Sequence, residues 1–212
     1  MKMSPTVIIC PGNGCTNIRR SNWYGELYNQ LREHDIPCVC ENFPDPHRAR
    51  RDIWIPFIES LAVKGKASSS NDSEKDESKS NGTILIGHSS GAQATLRYAE
   101  THPLKAAILV SATYSDLGDS NERLSGYYPQ QKNASKKSSE VTNPYDFQSM
   151  KSNCKIWHQF HSDNDPFIPL HEAEQIRDGL GLKDGENYHV LPGRSHFFEY
   201  DPALLNVILA LC

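Results

Sequence analysis

The sequence predicts an α/β fold: a three-layer sandwich whose six-stranded, mostly parallel sheet carries helices on both faces. Three observations carry this prediction. Short β-branched apolar runs alternate with helical stretches from end to end, the order that parallel strands with crossover helices require. Glycine-containing loops follow several runs at their carboxyl ends, where such sheets bind ligands. At 212 residues, 37% hydrophobic and 23% charged, the chain suits one domain (1–212) with a sizeable core.

Thr6 to Cys10 is the first strand, broken by Pro11-Gly12-Asn13-Gly14. Trp23 to Glu33 places Trp23, Tyr24, Leu27, Tyr28 and Leu31 on one helical stripe. Ile36 to Glu41 is the second strand, and the prolines of Asn42-Phe43-Pro44-Asp45-Pro46 stiffen the loop after it. Asp52 to Val63 is a helix with Pro56 in its first turn. Residues 64–82 contain no large apolar side chain and read as a mobile hydrophilic insertion. Thr83 to Ile86 is a buried strand, and Ala92 to Glu100 a helix. Ala106 to Val110 is the fourth strand, followed by a lid-like polar loop at 112–143 that includes a flexible patch from Gln130 to Glu140. A short helix at Pro144 to Met150, a strand at Lys155 to Phe160 and a helix at Leu170 to Leu180 come next. A sixth strand at Tyr188 to Leu191 and a helix at Pro202 to Leu211 complete the alternation.

Composition narrows the function classes. The net charge of −4 and scattered basic residues give no footprint for nucleic acid. No apolar run reaches a membrane span, and the five-residue first strand is too short for a secretory apolar region. The expected location is cytoplasmic, with nuclear access left open. The six cysteines lack a Cys-x-x-Cys pair and read as buried free thiols. The loop after the first strand fails as a dinucleotide fingerprint, because its third glycine position is Asn17, and as a Walker loop, because no Gly-Lys-Ser/Thr follows. No cofactor and no metal are expected.

The chemistry centres on Gly87-His88-Ser89-Ser90-Gly91, a Gly-x-Ser-x-Gly between strand and helix. Such a turn pushes the serine out of the regular backbone, and a Cβ on either glycine would clash with the neighbouring strand or helix. A serine hydroxyl needs an imidazole to take its proton and a carboxylate to orient that imidazole. Asp165 follows the fifth strand and His196 the sixth, so Ser89, Asp165 and His196 stand in the order serine, acid, histidine. Asp163 competes for the acid role, and Asp165 is preferred for its Pro166-Phe167-Ile168-Pro169 context. The oxyanion donors are expected to be the backbone N–H of Ser90 with that of Asn13 or Gly14. Trp23, Tyr127, Phe167 and Phe197 are the expected substrate-binding side chains.

These strings, with Trp23-Tyr24, Pro44-Asp45-Pro46, Ile53-Trp54, the run Arg97 to His102, Ser115 to Asp119 and Asn121-Glu122-Arg123, carry a resemblance. The chain resembles the retinoblastoma-binding-protein-nine family of small serine hydrolases, which includes the bacterial YdeN-like proteins, over nearly everything except 64–82 and 130–141. The resemblance implies a compact α/β-hydrolase fold, a triad of Ser89, Asp165 and His196, and metal-independent cleavage of small ester or amide substrates, with aminopeptidase-like action suggested. The family name implies a pocket-protein partner, against which stands the absence of any Leu-x-Cys-x-Glu motif. The competing class is a hydrolase frame with an idle triad that serves as a protein-interaction module. A flavodoxin-like cofactor binder would explain the sheet but leave Ser89 and His196 without a role.

Overall fold

A computed structural model describes residues 5–69, 82–131 and 141–212. Its elements follow the predicted order. They are β1 (Thr6–Cys10), α1 (Tyr24–Glu33), β2 (Cys38–Val39), α2 (Arg51–Ser69), β3 (Thr83–His88), α3 (Ser90–Ala99) and β4 (Ala106–Val110). Then come α4 (Ser120–Ser125), β5 (Gln130–Gln131), β6 (Val141–Thr142), α5 (Phe147–Asn153), β7 (Trp157–Ser162), α6 (Leu170–Leu180), β8 (Tyr188–Leu191) and α7 (Pro202–Leu211). The main sheet has six strands in the order β2-β1-β3-β4-β7-β8, every pair parallel.

Because side chains alternate along a strand, each central strand feeds two cores. Ile8, Cys10, Leu85, Ala107 and Leu109 face Trp54 and Ile58 of α2, Leu96 of α3, Met150 of α5 and Ile176 of α6. Val7, Ile9, Ile84, Ile86, Ile108 and Val110 face Tyr24, Leu27 and Leu31 of α1 and Leu204 and Ile208 of α7. Helices thus cover both faces, and strands buried on both sides read as unbroken apolar runs. β1 and β3 are neighbours, with Cys10 opposite Gly87, so the Pro11–Gly14 loop and the Ser89 turn leave the sheet side by side.

Several expectations need correction. The second strand shrinks from Ile36–Glu41 to Cys38–Val39, because this edge strand pairs only with Val7 and Ile8. Pro56 lies inside α2, past its first turn, and α2 continues six residues beyond Val63. Gly65 permits this extension: a Cβ there would come within 2.8 Å of the Thr6 side chain at the start of β1. The insertion expected at 64–82 therefore begins as helix, and residues 70–81 lie outside the described ones. The lid-like stretch contains α4 and an antiparallel pair of β5 with β6, the intervening residues 132–140 also lying outside. All six cysteines are free; Cys10, Cys15, Cys40 and Cys154 are buried, Cys38 is half-buried and Cys212 is exposed.

Candidate active site

The turn at Ser89 is held in a conformation that L-residues rarely adopt, with φ 53° and ψ −120°. Strain of this kind costs on the order of 1–3 kcal/mol and persists only where the surroundings impose it. Here they do. The Ser89 N–H donates to the Val110 carbonyl at 2.9 Å, tying the turn to the end of β4. A Cβ on Gly87 would sit 2.3 Å from the Gly91 carbonyl oxygen, and one on Gly91 would sit 2.2 Å from that of Cys10. Only glycine at both positions lets β3 turn into α3 against β1.

Asp165 and His196 meet as expected. His196 Nδ1 donates to Asp165 Oδ2 at 2.8 Å, while Oδ1 accepts the N–H of Phe167 (2.9 Å) and of Ile168 (3.1 Å). Burial pushes the Asp165 carboxyl up, but the His196 hydrogen bond and charge and the two N–H donors outweigh it and hold it below its ordinary range. An ionised carboxylate only accepts, so the His196 proton is on Nδ1 and Nε2 is left to receive another. Asp163, the competing acid, instead accepts the Gly193 N–H at 2.9 Å, and Asn164 Oδ1 accepts that of Ser195 at 2.8 Å. Both brace the histidine turn, where Ser195 (φ 51°) and Phe197 (φ 50°) are themselves left-handed. Among the described residues no hydrogen bond joins the Ser89 hydroxyl to His196; catalytic contacts of this type are often long before substrate binds.

His88 links the two halves of the site. Its Nε2 lies 2.8 Å from the His196 carbonyl oxygen, which can only accept, so Nε2 carries the proton and Nδ1 is the acceptor. The Tyr24 hydroxyl, 2.6 Å from Nδ1, therefore donates to it, and in turn accepts from the Gly12 N–H (2.9 Å) and Asn22 Nδ2 (3.0 Å). One buried chain of hydrogen bonds thus runs from the Gly12 loop to the backbone of His196. It also narrows the oxyanion donors. Gly12 N–H is taken by Tyr24, and Gly14 N–H donates to the Pro46 carbonyl at 2.7 Å, so Gly14 drops out of the expected set. Asn13 N–H and Ser90 N–H, at the start of α3, have no backbone partner among the described residues.

Burial, and then the nearby His196, push the His88 pKa down to about 3. An unfolded imidazole titrates at about 6.5, so below that value the unfolded chain takes up a proton that the native site rejects. The stability contributed by neutral His88 is complete above about pH 6.5 and is lost as pH falls toward 3. His88→Gln, which cannot titrate, is expected to be less stable at pH 7 but to lose its urea midpoint less steeply between pH 7 and 4. Equal slopes for variant and wild type would contradict this assignment.

The expected substrate-binding side chains divide. Phe167 is 60% exposed and its ring meets that of His196 edge-on at 5.2 Å. Trp23 is buried, its ring 5.8 Å from that of His88. Tyr127 and Phe197 are core residues on opposite faces of the sheet and line no open surface. The exposed neighbour that sequence reasoning missed is Phe198, 5.6 Å from the His196 ring. The Phe197-Phe198 pair was the available signal, since adjacent residues seldom both face inward.

Glu122 of α4 was also missed. Its Oε1 accepts from Asn13 Nδ2 at 2.8 Å and its Oε2 from the Tyr128 hydroxyl at 2.7 Å, bringing a half-buried carboxylate to the Pro11–Gly14 loop. Asp119 caps α4 by accepting from the N–H of Asn121 and Glu122, and the left-handed Gly126 ends it. That pair of caps was the legible sign of the helix. A cavity of about 560 Å³ elsewhere is lined by Arg50, Arg51 and Arg97 and by none of Ser89, Asp165 and His196. Its arginines are already paired, Arg50 with Asp45 and the other two with Glu100.

The chain has relatives among known proteins. Residues 70–197 match the family model described as serine hydrolase. The chain is 40% identical over 198 residues to "Serine hydrolase RBBP9" of Rattus norvegicus, covering 92% of this chain and 88% of that protein. The ydeN gene product of B. subtilis superposes with a TM-score of 0.72 at 18% identity over 98% of both chains. The α/β hydrolase GrgF from Penicillium sp. sh18 gives 0.60 at 14% identity over 99% of this chain and 89% of that one. At these identities the two structures speak to the fold, which is that of the α/β hydrolases. With two-fifths of its residues shared along almost its whole length with the rat protein, the chain belongs to the serine hydrolase family.

Proposed function

We propose that this protein cleaves small ester or amide substrates, in the manner of a carboxylesterase or an aminopeptidase, through an acyl-enzyme on Ser89. The observation that carries this reading is the Asp165–His196 hydrogen bond, which leaves Nε2 as the base at the sheet edge where the strained Ser89 turn emerges. His196 Nε2 takes the Ser89 proton as Oγ attacks the substrate carbonyl carbon. The oxygen that becomes negative is held by the N–H groups of Ser90 and Asn13; losing one such donor costs about 2.7–4 kcal/mol of transition-state stabilisation. Imidazolium then protonates the leaving alcohol or amine as its bond to carbon breaks. Water, deprotonated by His196, attacks the acyl-enzyme, and the acid leaves with Ser89 and neutral His196 restored.

The test is a panel of p-nitrophenyl esters and aminoacyl amides turned over by wild type and Ser89→Ala. Turnover by wild type alone supports the reading. Equal turnover by both, or none by a folded wild type, overturns it and favours the interaction module.

A further inference from the structure

The carboxylate of Glu122 has no part in the steps above, and its position is unfavourable to them. Asn13, whose backbone N–H is one proposed oxyanion donor, uses its side chain to reach Glu122 Oε1 at 2.8 Å. The other donor belongs to Ser90, whose hydroxyl also neighbours this carboxylate. A fixed negative charge therefore stands one side chain away from the oxygen that becomes negative in the transition state. Like charges at such range in a partly desolvated site repel strongly enough to raise the barrier. No lysine or arginine among the described residues pairs with Glu122: Arg123 beside it on α4 pairs with Asp116 at 2.8 Å. Burial already pushes the Glu122 carboxyl above its ordinary range. The Tyr128 hydroxyl at 2.7 Å holds the side chain in place, so it is not free to swing into solvent.

The local role that the sequence suggests does not use the side chain either. Glu122 is the third residue of α4, where a glutamate commonly turns back to the capping residue. Here its oxygens bond Asn13 and Tyr128 instead, the first 109 residues away. A positive charge brought by the substrate removes the conflict. A protonated amine on the carbon next to the scissile carbonyl would lie between the carboxylate and the oxyanion, pairing with one and shielding the other. Two carboxylate oxygens retain lone pairs for it beyond the bonds from Asn13 and Tyr128.

We infer that Glu122 is a specificity-determining residue that binds the protonated amine of substrates whose acyl group is an unblocked aminoacyl. This rests on the hydrolase reading above and narrows its substrate class. A neutral or N-blocked acyl group leaves the Glu122 charge uncompensated, and an acidic one adds to it.

The experiment compares kcat/KM for the 4-nitroanilide of alanine with that of N-acetylalanine. Wild type is expected to favour the unblocked substrate by about tenfold or more, as for other partly buried charge pairs. In Glu122→Gln, close to isosteric, that ratio should fall toward one, chiefly through a higher KM for the unblocked substrate. A purely structural role in holding Asn13 would lower both substrates together and leave the ratio intact, which overturns the inference. So does a wild type that shows no preference or prefers the acetylated substrate, a comparison that needs no variant. A folded wild type that hydrolyses neither these amides nor any neutral ester contradicts the hydrolase reading itself.

Discussion

His196→Ala is expected to lower kcat on the preferred ester by about a million-fold and to leave the fold intact. The magnitude follows from the unit formed by Ser89, His196 and Asp165, in which loss of the base alone removes nearly everything the unit supplies. Asp165→Asn should cost less, about ten-thousand-fold, because the imidazole survives but its tautomer is no longer dictated. The structure gives the reason for that difference. Asp165 accepts from His196 Nδ1 and is itself fixed by the N–H groups of Phe167 and Ile168, so its contribution is orientation. The fold should persist in His196→Ala, since the turn is braced through Asp163 with Gly193 and Asn164 with Ser195, while stability falls because the buried Asp165 Oδ2 loses its partner. Single-turnover kinetics with a p-nitrophenyl ester and the circular dichroism of each variant check both statements. A His196→Ala enzyme within tenfold of wild type would remove His196 from the reaction.

Gly91→Ala is expected to damage the fold severely. Its Cβ would lie 2.2 Å from the Cys10 carbonyl oxygen and 2.5 Å from that of Pro11, both backbone atoms at the end of β1. Neither can move without parting α3 from the centre of the sheet. The cost should reach about 3–5 kcal/mol, at the upper end for overpacking, and the loop that starts at Pro11 would move with it. Gly118→Ala is the control: its φ of +78° faces open space, so only left-handed strain of about 1–2 kcal/mol applies. Urea denaturation of the two variants separates steric collision from backbone strain. Similar losses would show that the approach of α3 to β1 is more yielding than the distances imply.

The sheet was legible because β1, β3 and β4 at its centre are buried on both faces and appear as nearly unbroken apolar runs, whereas β7 carries His158, Gln159 and His161 among its apolar residues. The candidate triad came from position, because a nucleophile, an acid and a base must each follow a strand at the same edge, and the structure brings Asp165 and His196 of that set into hydrogen-bond contact. What escaped the sequence depended on groups distant along the chain. The choice of Asp165 over Asp163 was the exception, made from the Pro166-Phe167-Ile168-Pro169 context, and in three dimensions their partners, His196 and Gly193, tell the two apart. The exclusion of Gly14 as a donor needed the Pro46 carbonyl, which no local pattern connects to it. Tyr127 read as a pocket aromatic in a polar loop, yet the loop folds back so that the buried Arg97 donates through Nε to the Tyr127 carbonyl at 2.7 Å. A polar stretch without periodicity likewise concealed α4, although Asp119 and Gly126 mark its two ends.

The central claim is that Ser89 is a working nucleophile, and its most direct test is covalent. Wild type is treated with a fluorophosphonate, and intact-mass and peptide analysis locate the adduct. The expected result is one phosphonyl group on Ser89, absent from Ser89→Ala and strongly slowed in His196→Ala. A folded wild type that takes up no label, or carries it on another residue, would contradict the account.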